Sequence, residues 1–108
     1  MIRMAIQVVF IDDASDRRDV HEIVGIDRDE LCPASLGLSM AEAKEINGGI
    51  QQALVGVQVA AWQADQRTCP DCGNRRSLKG HHPIVFRTAF VTLRLDSERV
   101  RVCPCTTE

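Results

Sequence analysis

The chain has 108 residues, a formal net charge of −2 and a hydrophobic content of 44%. This length allows one domain or two small ones, and no apolar stretch approaches the ~20 residues that a membrane-spanning helix needs. With three phenylalanines, one tryptophan and no tyrosine, the core is thin and would gain from a metal ion or a dimer interface. The first residues lack the cleavage site of a signal peptide, so we expect a cytoplasmic protein.

The small net charge hides an asymmetry between the two parts of the chain. Residues 1–65 carry 11 acidic and 5 basic groups, a net of −6, whereas residues 66–108 carry 8 basic and 4 acidic groups, a net of +4. Seven of those eight cations are arginine, which suits bidentate contact with phosphate. The pattern is compatible with nucleic-acid binding by the second part, and equally with a solvated charged face.

The first elements in chain order are two β-strands. Residues 2–11 are apolar and β-branched and predict a strand, and residues 12–16 form a polar turn cluster. A second strand pattern runs from Val20 to about Ile26, with His21 as an ordinary exposed residue, so we expect a β-hairpin. Residues 27–38 contain turn-forming residues and predict a linker.

A long helix is expected to follow, from Ser39 to about Gln66. Ser39 can cap its first turn while Glu42, three residues on, reaches back to complete a capping box. Two glycines, Gly48 and Gly49, favour either a kink or a close helix–helix approach, and Gly56 weakens the helix further. Apolar residues at spacings of three and four form one face, which we expect to pack on the hairpin and which could support dimerisation: Met40, Ala43, Ile46, Ile50, Ala53, Leu54, Val57, Ala61 and Ala64.

The remaining segments predict an antiparallel sheet of three or four strands. Strand patterns cover residues 84–90, 91–95 and 99–102, with a turn at Asp96-Ser97. Alternation within these segments places Arg94, Arg99 and Arg101 on the solvent side. The predicted fold class is therefore α+β: an N-terminal β-hairpin, one long amphipathic helix, and then an antiparallel zinc ribbon.

Two cysteine pairs enclose this basic, β-prone segment. In Cys69-Pro-Asp-Cys72-Gly73, proline fixes φ early and Gly73 permits a positive φ, which is typical of a metal-binding knuckle. In Cys103-Pro-Cys105, the proline favours an extended backbone, in which side chains two apart share a face. Four thiolates at ~2.3 Å from a tetrahedral ion form a structural zinc site. The prediction is a structural Zn²⁺ held by Cys69, Cys72, Cys103 and Cys105.

Other interpretations of the cysteines and histidines stay open at this point. A Cys-x-x-Cys motif can be a redox pair, although that motif belongs at the start of a helix in a βαβ unit. His81 or His82 could replace one cysteine in the metal shell, or could be turn residues beside a phosphate backbone. Cys32, the fifth cysteine, is interpreted as an ordinary structural residue.

Several motifs together resemble one family of proteins. Leu36-Gly-Leu-Ser-Met-Ala-Glu-Ala-Lys44, the Cys69–Gly73 knuckle, Lys79-Gly-His-His82, Phe86-Arg-Thr88 and Cys103-Pro-Cys105 occur in the order typical of Kra-type bacterial insertion-sequence transposases. The resemblance covers essentially the whole chain and only the N-terminal region of such a transposase. It implies a zinc ribbon ahead of an acidic catalytic core that would lie downstream, so no carboxylate here is assigned a catalytic role. Two departures, Val91 in place of glycine and Asp96-Ser-Glu98 in place of a Ser-Pro-type turn, concern strand geometry rather than the metal site.

These observations give two functional hypotheses. The first is a non-catalytic zinc-ribbon module of a transposase that binds DNA at the ends of the element, supports transposase assembly, or both. The alternative is a homodimerising protein-interaction domain in which zinc is purely structural and no DNA is bound. Residues 1–66 would form the hairpin, helix and dimerisation region, and 67–108 the ribbon; neither a membrane nor a small-molecule substrate is expected. The candidate DNA contacts are Arg75, Arg76, Lys79, Arg87, Arg94, Arg99 and Arg101.

Overall fold

A computed structural model describes residues 1–105 of the chain and confirms the α+β class. The elements are β1 (Ile2–Asp12), β2 (Arg17–Arg28), a short 3-10 helix (Pro33–Ser35), α1 (Met40–Gln66), β3 (Leu78–Arg87) and β4 (Thr92–Val100). The chain divides into two compact units, Met1–Ala53 and Leu54–Glu108. The division falls inside α1, and the predicted functional boundary at 66/67 stays a prediction. Within residues 1–105, no helix is both long and apolar enough to cross a membrane.

The N-terminal unit begins with the predicted β-hairpin. β1 and β2 pair antiparallel from Ile2 opposite Arg28 to Asp12 opposite Arg17, with a register shift after Ile6. The turn is held by Asp12, whose carboxylate accepts a hydrogen bond from the backbone N–H of Ala14 at 3.1 Å. Both strands are longer than expected because pairing continues through the charged residues beside the turn.

An arginine at the end of β2 ties the hairpin to the linker and to the start of α1. Arg28 donates to the carbonyl oxygens of Ser35 at 2.9 Å and Gly37 at 3.1 Å, and to Glu42 Oε2 at 2.8 Å. The backbone N–H of Ser39 donates to Glu42 Oε1 at 2.9 Å, and that of Glu42 donates to Ser39 Oγ at 3.1 Å. The predicted capping box is therefore present, with a guanidinium added to it.

The N-terminal half of α1 approaches β2 closely at a glycine. A Cβ placed on Gly49 would overlap Cγ2 of Ile23, because the two atoms would be closer than van der Waals contact allows. The helix–helix approach expected for the glycine pair is thus replaced by a close approach to a strand. Gly56 has nothing within 4 Å of such an added Cβ.

The C-terminal unit contains a two-stranded ribbon, so the expected three or four strands are wrong. β3 and β4 pair from Leu78 opposite Val100 to Arg87 opposite Thr92. The turn lies at residues 88–91, where Thr88 Oγ1 accepts from the backbone N–H of Val91 at 3.0 Å. This local turn displaces the one expected at Asp96-Ser97, and Asp96 pairs with Pro83 in the middle of the ribbon.

The change in strand boundaries also changes which arginines share a face. Arg94 and Arg99 are five residues apart in one uninterrupted strand, so alternation places them on opposite faces. Arg101 lies beyond the end of β4 at Val100. The expectation that all three occupy one side of the ribbon is therefore wrong.

Gly49 has a close neighbour and Gly56 has none, so alanine at these two positions should have opposite effects on stability. Gly49→Ala should lower the free energy of unfolding by about 1–3 kcal/mol, because Ile23 is β-branched and cannot easily move aside. Gly56→Ala should raise it by up to about 1 kcal/mol, since alanine favours helix and meets no neighbour there. Urea denaturation of both variants checks this; equal effects of the two substitutions would contradict the packing described.

The Arg28–Glu42 pair should give the N-terminal unit an acid-sensitive component of stability. The guanidinium of Arg28, together with the backbone amide of Ser39, lowers the pKa of Glu42 from its ordinary 4.5 to about 2. Because the folded pKa is depressed, this stabilisation is present above pH 4.5 and is lost as the pH falls toward 2. The free energy of unfolding, measured by urea denaturation between pH 6 and 2, should therefore decrease as the pH falls. This decrease should be smaller in Glu42→Gln than in the wild type. Glu45→Gln, an exposed position on the same helix, should retain the wild-type profile.

Candidate metal centre

The first pair of cysteines lies on a tight turn that follows α1. The backbone N–H of Gly73 donates to the Cys69 carbonyl at 2.9 Å, and that of Cys69 donates to the Asn74 carbonyl at 2.9 Å. Gly73 has a φ of +74°, a conformation that favours glycine. The Cys-x-x-Cys segment therefore folds as the predicted knuckle.

The second pair lies just beyond the ribbon. β4 ends at Val100, and Pro104 and Cys105 are in a turn, so the extended backbone expected for Cys103-Pro-Cys105 is wrong. The backbone N–H of Arg101 donates to the Ser77 carbonyl at 2.9 Å, which holds the strand end beside the knuckle. The turn directs both sulfurs back to the first pair.

The four cysteines form one compact cluster. Cys69 Sγ lies 3.5 Å from Cys105 Sγ, and Cys72 Sγ lies 3.4 Å from Cys103 Sγ; all four sulfurs are within 4.8 Å of one another. Disulfide-bonded sulfurs are ~2.05 Å apart, whereas sulfurs at ~2.3 Å from a tetrahedral ion are about 3.8 Å apart. The spacing therefore fits four ligands around a metal ion and excludes disulfides within the cluster.

The surroundings of Cys69 favour the thiolate that a metal requires. The backbone amides of Cys72 and Asp71 donate to its sulfur and lower the pKa of Cys69 to about 6. The amide of Cys105 acts in the same direction on Cys103, but the neighbouring thiol of Cys72 and burial outweigh it and raise the pKa of Cys103. Adjacent thiolates repel one another, so all four can ionise together at neutral pH only around a cation.

Hydrogen bonds of Arg76 connect the chain segments around the cysteine cluster. Its Nε donates to the Arg101 carbonyl at 2.8 Å and its Nη1 to the Gln66 carbonyl at 3.3 Å. Gln66 is the last residue of α1, so this contact satisfies a carbonyl that the helix itself leaves unpaired. Arg67 Nε in turn donates to the Arg76 carbonyl at 3.2 Å. Arg76, one of the candidate DNA contacts, thus has a structural role in this fold.

The histidines are placed away from the sulfurs. His81 and His82 lie within β3 rather than in a turn, and Nδ1 of His81 is 3.0 Å from Asp96 Oδ2. Among residues 1–105, the metal-competent cluster consists of the four cysteines alone. Cys32 lies in the linker of the N-terminal unit, where hydrogen bonding to Ser35 lowers its pKa.

The other candidate DNA contacts are all exposed cations. Within the described part of the chain, none of them has a carboxylate at ion-pairing distance. Strand register brings Lys79 beside Arg99 near the knuckle, while Arg87 and Arg94 lie toward the opposite end of the ribbon. The set is Arg75, Lys79, Arg87, Arg94, Arg99 and Arg101.

The anchoring roles of Arg28 and Arg76 do not follow from the sequence. Each arginine stands among other charged residues and carries no motif that separates it from its neighbours. Glu42 does not point to Arg28, because a carboxylate in the first turn of a helix is already stabilised by the helix N-terminus. Arg76 has no signal either, because its partners are backbone carbonyls brought together by folding.

The geometry predicts one bound metal ion per chain, held by these four sulfurs. Metal analysis by mass spectrometry on protein purified without added metal should find it in the wild type and in Cys32→Ser. The double variant Cys103→Ser/Cys105→Ser should lose the ion, because only two thiolates remain. Retention of the metal in that variant, or its loss in Cys32→Ser, would contradict the assignment.

Comparisons with models of known protein families, with curated proteins and with solved structures find no match for this chain.

Proposed function

We propose that this chain is a non-catalytic module of a bacterial insertion-sequence transposase, in which a structural zinc ion holds a DNA-contacting C-terminal unit. The observation that carries the proposal is the four-cysteine cluster set in a basic unit. Residues 54–105 contain 8 basic and 4 acidic groups. The resemblance to the N-terminal region of Kra-type transposases supplies the biological setting and is itself part of the proposal.

Zinc is the proposed metal because of the donor set. Four thiolates in a closed tetrahedral shell are typical of structural zinc sites, which keep no open position for a substrate or water. The bound ion would link the knuckle to the end of β4 and so stabilise the C-terminal unit. The roles of this chain's residues are then to hold the ion and to present cations, and no catalytic step is assigned to them.

The proposed DNA surface lies at the knuckle end of the ribbon. Arg75 pairs with Thr68 in an isolated β-bridge, Lys79 lies opposite the Arg99–Val100 segment, and Arg101 is hydrogen-bonded to Ser77. These contacts place the backbones of Arg75, Lys79, Arg99 and Arg101 in one region of the C-terminal unit. Their exposed side chains suit contact with the phosphate backbone, which contributes affinity with little sequence readout.

The second candidate function, homodimerisation without DNA binding, is favoured by exposed apolar side chains. On the C-terminal half of α1, Leu54 is 41% exposed, Val57 39% and Trp62 57%. Apolar residues on an exposed helical face are typical of a protein contact. Size-exclusion chromatography with light scattering distinguishes this function, because a module that only binds DNA has no need to dimerise.

DNA binding should depend on the cations near the knuckle and on salt. Fluorescence anisotropy with a labelled duplex should show weaker binding for Arg99→Ala/Arg101→Ala, because two phosphate-binding cations are removed. The slope of log affinity against log salt should decrease by about one for each phosphate that is no longer bound. Arg17→Ala/Arg18→Ala removes the same number of exposed charges from the hairpin and is the matched control.

Two results would count against the proposed DNA role. One is the absence of binding by the zinc-loaded wild type at low salt. The other is an equal decrease in affinity in both double variants, which would indicate a general charge effect. Zinc content measured in each variant distinguishes the removal of a DNA-binding cation from disruption of the fold.

A further inference from the structure

Within residues 1–105, each of the two sheets has two strands, so every strand has one edge without a strand partner among these residues. Three of these edges carry features that discourage further pairing. β2 is charged along its length, contains Gly25 and has an extra residue at its register shift. β3 contains Gly80 and Pro83, and β4 carries alternating charges.

β1 is the exception. Eight of its 11 residues are apolar, and it contains neither glycine nor proline. Alternation places apolar side chains on both faces: Ile6, Val8 and Phe10 on one, and Ala5, Val9 and Ile11 on the other. A strand that is apolar on both faces is typical of the interior of a sheet, yet here it forms an edge.

Several apolar side chains of β1 are exposed to solvent, because no further strand of the described chain lies beside β1. Ile2 is 56% exposed, Val9 49% and Ile11 55%, although an isolated two-stranded hairpin is at best marginally stable in water. A further strand along β1 would bond the outward-directed backbone groups and cover these side chains.

We infer that the open edge of β1 pairs with β1 of a second copy of this chain, forming a continuous four-stranded sheet in the order β2–β1–β1–β2. The distribution of charge favours an antiparallel arrangement. Arg3, which also pairs with Asp27 of its own hairpin at 3.0 Å, is near the start of β1, and the acidic turn with Asp12, Asp13 and Asp16 is at its end. Antiparallel pairing brings each Arg3 toward the partner's acidic turn, whereas parallel pairing would place like charges together.

The length of the strand defines the register. Full overlap of Ile2–Asp12 with its copy places the two-fold axis at Gln7, the middle residue. Gln7 is the only uncharged polar residue of β1, and its amide both donates and accepts hydrogen bonds, so it can bond its own copy across the axis. The charged outer edges of the two β2 strands then end the sheet, which gives a closed dimer rather than a fibre.

A cross-strand pair provides a matched test on the full chain. Val9 and Val20 face each other in the hairpin and are 49% and 58% exposed, but only Val9 lies on the proposed interface edge. The wild type should be a dimer by analytical ultracentrifugation. Val9→Lys should weaken dimerisation by at least about tenfold, since a charge would replace the apolar side chain that packs beside the second copy on one face of the joined sheet. Val20→Lys should leave the dissociation constant within about threefold.

Cysteine cross-linking tests the register even if Val9→Lys fails to fold. In a Cys32→Ser background with zinc bound, Gln7→Cys should form an intermolecular disulfide under mild oxidation, because opposed residues in antiparallel strands are within bonding range. Glu22→Cys, opposite Gln7 on the outer strand, should remain uncross-linked.

The inference is independent of the proposed DNA role and gives the assembly alternative a defined interface. A monomeric wild type at tens of micromolar, equal effects of Val9→Lys and Val20→Lys, or cross-linking through Glu22→Cys would each overturn it. DNA binding by a monomeric protein would leave the proposed function intact while removing this interface.

Discussion

The approach of four cysteine sulfurs at the end of the ribbon is the constraint on which the C-terminal unit depends. That unit contains a two-stranded ribbon and the end of a helix, and few of its described residues are buried: Val55 is 8% exposed, Leu93 6%, Cys69 3% and Cys103 6%. Two of those four are members of the cysteine cluster. A unit with so little apolar burial would gain much of its stability from a bound ion, as other small metal-binding domains do. The arginines on its surface are positioned by this framework, whether or not they contact DNA.

The N-terminal unit also has a thin core, and there the hydrogen bonds and ion pair of one arginine hold the elements together. There a single guanidinium, that of Arg28, connects the end of a strand, two linker carbonyls and the capping residue of a helix. Because Arg28 and Glu42 are 24% and 22% exposed, the pair is better shielded than a surface ion pair, which contributes little. The contact orients the helix start, and the close approach of Gly49 to Ile23 brings the N-terminal half of α1 against β2.

Both proposed functions depend on side chains that the fold leaves exposed. The hairpin, the C-terminal half of α1 and β3 all expose apolar side chains, and the ribbon also exposes cations without ionic partners among the described residues. Apolar surface suits contact with another protein, whereas unpaired cations suit contact with a polyanion. A module that assembles through apolar surface such as that of the hairpin and contacts DNA through the cations of its C-terminal unit would use both. Such a division of roles agrees with the charge asymmetry along the chain.

The amino-acid sequence by itself determined the element types, the capping box and the two cysteine pairs of the cluster, because each depends on local spacing. The helix from Met40 to Gln66 follows from its apolar period and from Ser39 and Glu42, and the knuckle follows from Pro70 and Gly73. Tertiary structure decided what depends on pairing between distant segments. The Thr88 turn sets the ribbon register, which moves His81 and Asp96 into strands and separates Arg94 from Arg99. It also decided the roles of Arg28 and Arg76, since their partners are carbonyl and carboxylate groups that only folding brings within hydrogen-bonding distance.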